Sequence, residues 1–445
     1  MSRIVVLGGG ESGYGSAYLA KKEGFEVFLS DKGELKEEYR EALRNADIRF
    51  EEGHHTMEKI LNADIIIKSP GLPESAPVMV AIREQGIKVV SEIEFAGKYC
   101  KAKTICVTGS NGKTTTVSLI YDMLVGAGYN VALGGNIGKS FALSVATQDY
   151  DWYVLELSSF QLDDMFDFKA DISLLTNITP DHLDRYDHDM SKYVKSKFRI
   201  LQNQTSKESF IYNLDDPYTM DYLSKNKING LQMFGITSAS KKGNFFDKES
   251  GFLSFNIDGK NVELNLSMRL CSGVHNAYNF SQAAAAALMA GVSCEDVQKS
   301  INTFQGIEHR VEAAGEREGV RYINDSKATN VDAAWYALEA TKEPTVWIAG
   351  GTDKGNDYSQ LYGVISNVHT LVCMGVDNSK LIAAFEGKIP KIISTATFVD
   401  AMEAAIGAAQ RGDVVLLSPA CASFDLFKNY EDRGRLFKEY IKNKK

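Results

Sequence analysis

The stretch TGSNGKTT, Thr108 to Thr115, holds residue types that bind an anion through backbone and side chain together. Between the apolar run TICV and the helix-like TTTVSLIYDML, it places Gly109, Ser110, Asn111 and Gly112 in a turn that joins a strand to a helix. Backbone N–H groups in such a turn point at a phosphate, and the dipole of the following helix adds attraction. Lys113 can neutralise β and γ oxygens, and the Thr114 hydroxyl suits Mg²⁺, with Thr115 directly after it. The strict pattern wants glycine where Val107 stands, so the turn is expected to begin later, at Thr108–Gly109. A plain glycine turn with a surface lysine is the bland alternative; a nucleotide is the expected ligand.

Further chemistry-bearing residues follow apolar runs. DWYVLELSSFQL puts Glu156 near the end of a strand, where ligands collect in open α/β sheets and a carboxylate suits Mg²⁺, although a salt bridge is its commoner task. ADISLLTNITPDHLDRY ends in a turn bearing Asp181, His182 and Asp184, whose imidazole can ligate a metal or simply hydrogen-bond. Lys197 in KSKFRI lies on a helix able to face the same pocket. Near the start, Gly8 to Gly13 satisfies G-x-G-x-x-G after a strand, and Asp31 follows the second strand. That loop fits NAD or the diphosphate of a nucleotide sugar. His54–His55 reads as a polar loop, and Cys421 as a small buried thiol.

The elements that must position these residues are α/β units. From Met1 to about Gly97, RIVVLG, EVFLS, ADIIIK and KVVS alternate with amphipathic helical stretches, the signature of parallel strands and crossover helices. The pattern restarts with KTICVTG, DWYVLELS and ADISLLTNI. It carries an insertion, GNFFDKESGFLSFNIDGKNVEL, which reads as antiparallel hairpins around an Asp-Gly turn, and closes with the helix NAYNFSQAAAAALMAG. HRVEAAGER, VRYINDS, PTVWIAGG, TLVCMG and DVVLLSPA form a third unit. The expected fold is α/β in three domains: Rossmann-like over 1–97, P-loop ATPase-like with a hairpin insertion over 98–303, and Rossmann-like over 304–445.

At 445 residues and 44% hydrophobic, the chain can bury several cores. A formal net charge of -9 gives no broad basic field, so nucleic acid is not an expected partner. The six cysteines form no Cys-x-x-Cys pair and lie mostly in apolar runs, as reduced thiols do. MSRIVVLGGG enters a strand without a signal-peptide pattern, and no apolar run approaches membrane-spanning length. A cytoplasmic monomer acting on small molecules, without membrane insertion, is expected.

GSNGKTT, GGNIG, ELSSFQL, TNITPDHLDRY, KSKFR, GVHNAYN, EHRVE, NDSKATN, GGTDKG and LLSPACASFD occur in the order found in the Mur ligases of peptidoglycan synthesis. The chain resembles that family over essentially its whole length, and NDSKATN and SPACASFD resemble the members that add D-glutamate to UDP-N-acetylmuramoyl-L-alanine. The resemblance implies ATP cleavage coupled to amide-bond formation through an acyl phosphate and a tetrahedral intermediate. It implies that Lys113 and two Mg²⁺ ions offset the repulsion between two anions, with Thr114 and Glu156 at the first ion and His182 at the second. It further implies that Lys197 is carbamylated and assists magnesium positioning, and that Asn136 meets the substrate near its reacting carboxylate. Asn276 and Asn279 match positions flanking the adenine, and Arg310 and Asp325 match nucleotide contacts. Lys354, Thr329 and Ser423 match positions around D-glutamate, with Lys327 and Tyr430 beside them. Ser12, Asp31, Ser69 and Gly71 are the candidates for the UDP portion. Two rival readings stay open at this point. A folylpolyglutamate-type ligase shares the central ATPase, and an NAD-linked oxidoreductase explains the first glycine loop while leaving GSNGKTT, Glu156 and His182 without a task.

Overall fold

The computed structural model describes residues 2–228, 230–257, 259–266, 274–304, 306–353 and 355–443. Five short strands near the start form an all-parallel sheet in the order Arg49–Glu51, Glu26–Ser30, Arg3–Leu7, Ile65–Lys68, Lys88–Ser91. Alternate side chains enter two separate cores: Ile4, Val6, Leu29 and Ile67 on one face, Val5, Leu7, Phe28 and Ile66 on the other. Burial on both faces is why these strands read as continuous apolar runs. Arg49–Glu51, which the sequence does not announce, is a three-residue edge strand with charged ends and no periodicity to detect.

The second sheet has six parallel strands in the order Gln232–Ile236, Ser209–Asn213, Ile172–Leu175, Lys103–Thr108, Trp152–Glu156, Val131–Gly135. Lys103–Thr108 therefore lies between a strand on each side that comes later in the chain, and the crevice beyond its carboxyl end is a topological switch point. The helix Lys113–Gly126 packs against the alanine-rich helix Val274–Met289, whose Ala283 to Ala287 are fully buried, so the small side chains let two helices approach closely. Phe245–Phe246, Phe252–Ile257 and Lys260–Asn265 form the anticipated antiparallel insertion, with Ile257 paired to Lys260; Asp258 of the Asp-Gly turn lies outside the described residues. One more helix, Cys294–Thr303, follows the alanine-rich one. Its sequence is mostly polar and only Val297, Ser300 and Ile301 are buried, which hid it from the apolar pattern.

The chain divides into two compact units, Met1–Phe304 and Gln305–Lys445. The first contains both parallel sheets, which share one core running from Ile4 and Leu29 to Phe141 and Tyr153. Their junction also holds a buried ion pair: Lys68 Nζ lies 2.7 Å from Asp164, each side chain only 4% exposed, with Glu74 and Arg83 joining at the rim. Removing Lys68 leaves the buried Asp164 only the partly exposed Arg83 as a partner, so Lys68→Ala should destabilise this unit by about 2–3 kcal/mol, measured by urea unfolding. A change below about 1 kcal/mol would show the pair to be dispensable.

The second unit is built on a sheet ordered Glu312–Arg317, Val320–Asn324, Val414–Leu417, Thr345–Ala349, Val368–Met374, Lys391–Thr395, antiparallel at its first pair and parallel elsewhere. Among the described residues Cys100, Cys106, Cys294, Cys373 and Cys421 are free, and burial raises the thiols of Cys100 and Cys373 to about 11 and about 12. No helix among the described residues is long and apolar enough to cross a membrane.

Candidate active site

The phosphate-loop stretch begins where the strand Lys103–Thr108 ends. Val107 is still inside that strand, fully buried and paired with Glu156 and Leu174, so the glycine of the strict pattern has no place there; Gly109 (φ 146°) opens the turn instead. Gly112 caps the helix Lys113–Gly126 at φ 83°, and a Cβ on it would fall 2.2 Å from Asn279 Oδ1, so only glycine fits both the conformation and the space. The turn is braced from the neighbouring strand end. Ser110 N–H donates to the Asn177 carbonyl (2.9 Å), Asn111 N–H donates to Asn177 Oδ1 (3.0 Å), and Thr176 Oγ1 donates to the Asn111 carbonyl (2.6 Å).

Two lysines meet on this loop. Lys113 Nζ donates to the carbonyls of Gly109 (2.7 Å) and Ser110 (2.8 Å), and Lys197 Nζ donates to the same Gly109 carbonyl (2.9 Å). Lys197 is buried, and burial together with the Lys113 charge pushes its ammonium well below the ordinary lysine range, against the pull of Asp181, Glu156 and Asp163. Thr114 Oγ1 donates to Glu156 Oε2 (2.7 Å), and Asn136 Nδ2 donates to Glu156 Oε1 (2.9 Å). Glu156, itself buried, is thus the hub between the helix start and the GGNIG loop. His182, left-handed at φ 53°, has Nε2 at 3.6 Å from Asp181 and its ring edge against Phe160. The Thr115 hydroxyl is buried with no hydrogen-bond partner among the described residues. Asn279 accepts from Thr116 Oγ1 (3.5 Å) and donates to Asn276 Oδ1 (3.4 Å), which sets both amides beside the loop.

At the first sheet, the glycine loop lies against Ser69, and Gly9 N–H donates to Asp31. Asp31 Oδ1 also accepts from Gly33 N–H (2.7 Å), so this carboxylate shapes the loop through both oxygens. The Ser12 carbonyl accepts from Ser16 Oγ (2.8 Å), and Gly71 sits in an open turn.

In the second unit, NDSKATN and SPACASFD lie at the carboxyl ends of two adjacent parallel strands inside the sheet. Ser418 Oγ donates to Asp325 Oδ2 (2.7 Å) and Val311 N–H donates to Oδ1 (3.2 Å). Arg310, between left-handed His309 and Val311, is in a strained turn rather than a strand; its buried Nε has no hydrogen-bond partner among the described residues. Lys327 Nζ meets the Tyr430 hydroxyl (3.1 Å) and lies 5.0 Å above its ring. Thr329 N–H donates to the Lys327 carbonyl (2.9 Å), and the Ser423 carbonyl accepts from Phe427 N–H (3.0 Å). Lys354 lies outside the described residues.

Residues 3–78 match the MurD N-terminal domain, 107–287 the Mur ligase middle domain, and 309–421 the Mur ligase glutamate ligase domain. The UDP-N-acetylmuramoylalanine–D-glutamate ligase of Bacteroides fragilis is 49% identical over 450 residues, covering 99% of this chain and 100% of that one. The chain belongs to the Mur ligase family. The correspondingly named protein of Christiangramia forsetii is 47% identical, covering 99% of both chains. In fold, this Mur ligase is similar to the UDP-N-acetylmuramate-alanine ligase of Thermotoga maritima, with TM-score 0.62, 18% identity and full coverage of both chains. It is also similar to FolC of E. coli, solved with ADP, with TM-score 0.59 and 18% identity over 79% of this chain and 93% of that one.

In this Mur ligase Lys113 and Lys197 share the Gly109 carbonyl, Thr114, Glu156 and Asn136 form one hydrogen-bonded chain, and His182 stands beside Asp181, whose charge acts on Lys197. Sequence reasoning passed over the bracing residues Thr176, Asn177 and Thr179, although they stand in the same TNITPDH stretch as His182; the signal was a polar run at a strand end facing a glycine loop. Asp325 carries a testable charge. Burial raises its carboxyl to about 6, against the pull of Arg310 and Ser418. The folded chain therefore keeps the proton that the unfolded chain loses near about 3.9. The contribution to stability is full below that value and lost as pH rises through about 6, roughly 2–3 kcal/mol in all. Asp325→Asn should accordingly gain stability relative to the parent between pH 4 and pH 7 in denaturant titrations. A constant difference would contradict the raised carboxyl.

Proposed function

We propose that this chain joins D-glutamate to the alanyl carboxylate of UDP-N-acetylmuramoyl-L-alanine at the expense of ATP, in the cytoplasm and as a monomer. Relatives bearing the name of that ligase are 45–49% identical to it across nearly their whole length, the first sheet included. That coverage favours it over the folylpolyglutamate-type reading. The observation that carries the chemistry is the convergence of Lys113 and Lys197 on the Gly109 carbonyl, one turn from the Thr114–Glu156–Asn136 chain.

In this reading the alanyl carboxylate attacks the γ-phosphorus, ADP leaves, and the amine of D-glutamate then displaces phosphate to leave an amide. Both reactants of the first step are anions, so fixed positive charge must lie between them. With the Ser110 and Asn111 N–H groups held by Asn177, the N–H groups at the helix start from Gly112 onward and the Lys113 ammonium hold the phosphates; to do so Lys113 exchanges the Gly109 and Ser110 carbonyls for phosphate oxygens. A hydroxyl beside a carboxylate is a donor set that suits Mg²⁺, and Thr114 and Glu156 would hold one ion and His182 a second; when bound, Mg²⁺ supplies charge that offsets the repulsion. Asn136, with one N–H committed to Glu156, keeps its amide oxygen for the substrate without adding charge. Lys197 is suited to carbamylation because its depressed ammonium yields the neutral amine, the form that adds to carbon dioxide and releases one proton. Asn276 and Asn279 flank the adenine, and Arg310 and Asp325 contact the nucleotide. Ser12, Asp31, Ser69 and Gly71 take the UDP portion, Asp31 by shaping the loop.

D-Glutamate brings two carboxylates and an ammonium, which call for cations and hydrogen-bond donors. We assign them to Lys327, Thr329, Lys354, Ser423 and Tyr430. Phosphate release with ATP and UDP-N-acetylmuramoyl-L-alanine should require D-glutamate and fail with L-glutamate or L-lysine. Lys354→Ala should raise the D-glutamate KM by about 10²-fold, the cost of a lost charge-assisted contact, and leave the ATP KM nearly unchanged. Equal effects on both, or activity with L-lysine, would overturn this assignment.

A further inference from the structure

Three aromatic rings form a row inside the first unit. Phe160 stacks on Tyr186 (centroids 6.1 Å, planes 13° apart), and Tyr186 leans on Tyr193 (5.4 Å). At one end the Tyr193 hydroxyl meets Ser110 Oγ of the phosphate loop (3.1 Å), and the Lys197 ammonium lies 5.0 Å from its ring centre. At the other end Phe160 meets two residues of the turn after TNITPD. His182 meets it edge-on at 5.2 Å and 70°, and the Arg185 guanidinium lies 4.2 Å from its centre. His182 stands at the N-cap of the 3₁₀ turn Leu183–Tyr186 in a left-handed conformation, and Arg185 follows three residues later inside it, so one short turn delivers both to the same ring. Arg185 Nη2 reaches further, to the Leu72 carbonyl (3.4 Å), in the turn that carries Ser69 and Gly71.

We infer that Phe160 and Arg185 are positioning residues of the ligase site. Phe160 fixes the plane of the His182 imidazole, and Arg185, clamped on the same ring, ties that imidazole to the turn that carries the UDP substrate. Neither touches the reacting atoms. The ring row is anchored behind, where the Tyr186 hydroxyl donates to Asp163 (2.8 Å) and meets Ser196 Oγ (3.2 Å), so Phe160 has a rigid backing. A cation held against a ring and an edge-on imidazole are directional contacts, so an aliphatic side chain of similar volume fills the space without setting either angle. The inference rests on the proposed role of His182 as a magnesium ligand.

The test uses the full chain with selectively ¹³C-labelled histidine, the His182 resonance being assigned through His182→Gln. Phe160→Leu should shift the His182 ring signals by loss of the ring current, with no substrate or metal added. In phosphate-release assays it should raise the MgCl₂ concentration for half-maximal velocity about tenfold and lower kcat about tenfold, with the ATP KM within about twofold. Phe160→Tyr, which keeps the ring face, should restore both. Arg185→Met should raise the KM for UDP-N-acetylmuramoyl-L-alanine about fivefold and leave the ATP KM unchanged, with Arg185→Lys intermediate. Unmoved His182 signals and parental MgCl₂ dependence in Phe160→Leu would overturn the inference; should that variant fail to fold, a parental substrate KM in Arg185→Met does so. A parent chain that releases no phosphate with its three substrates refutes the functional reading instead, and the histidine spectrum still decides the geometry.

Discussion

Lys197→Ala should lose about 10²–10³-fold in turnover, the scale of removing one preorganised charge from a phosphoryl-transfer site, and millimolar formate or acetate should restore part of it. The reason is local. Lys197 is buried beside Lys113, and its ammonium is depressed, so as a plain cation it would add a second positive charge where one already stands. In the proposed carbamylated form it would be an anion facing Lys113 and would help hold magnesium. Truncation to alanine opens a cavity at the Gly109 carbonyl that a small carboxylate can enter, and single-turnover phosphate release with and without the acid reads the rescue. Parental rates without any acid would refute the role. Rescue by ammonium rather than carboxylate would show that the cation is the working form.

Lys113→Ala should cost at least as much, about 10³-fold in kcat, because in the proposed reaction the ammonium offsets negative charge on the transferring phosphoryl group. ATP binding, measured by calorimetry, should weaken as well. A second consequence follows from the shared carbonyl. Burial is the larger cause that depresses Lys197 and the Lys113 charge the smaller, so removing Lys113 raises the Lys197 ammonium part of the way toward an ordinary lysine and weakens its tendency to add carbon dioxide. The two substitutions should therefore be non-additive, the double variant being little worse than Lys113→Ala alone. Full additivity in a double-mutant cycle would show the two lysines to act independently.

Much of the arrangement around the phosphate loop is legible in the sequence. Gly109 to Thr114 declared itself because anion binding at a helix start needs glycine, lysine and a hydroxyl within a few residues. Glu156 and His182 declared themselves by standing at the ends of apolar strands. Pattern failed where function depends on contacts across the sheet. Thr176 and Asn177 brace the phosphate loop from a neighbouring strand, and Phe160 supports His182 through a turn more than twenty residues later. No spacing rule links such positions. Asp31 was visible as an acid after the second strand, but only geometry shows both its oxygens committed to loop N–H groups. Arg310 read as a strand residue because the positive φ of His309 and Val311 leaves no trace in residue type. Strands such as Lys391–Thr395 and Gln232–Ile236 escaped because their outer residues are exposed, which dilutes the apolar signal at a sheet edge.

The transfer of a carboxylate oxygen to phosphorus is the step on which every assignment above depends, and isotopes follow it directly. UDP-N-acetylmuramoyl-L-alanine carrying ¹⁸O in its alanyl carboxylate is incubated with ATP and D-glutamate, and the released phosphate is analysed by mass spectrometry. Each phosphate should carry one ¹⁸O, with the other retained in the new amide. Phosphate bearing no label while amide accumulates would contradict the account.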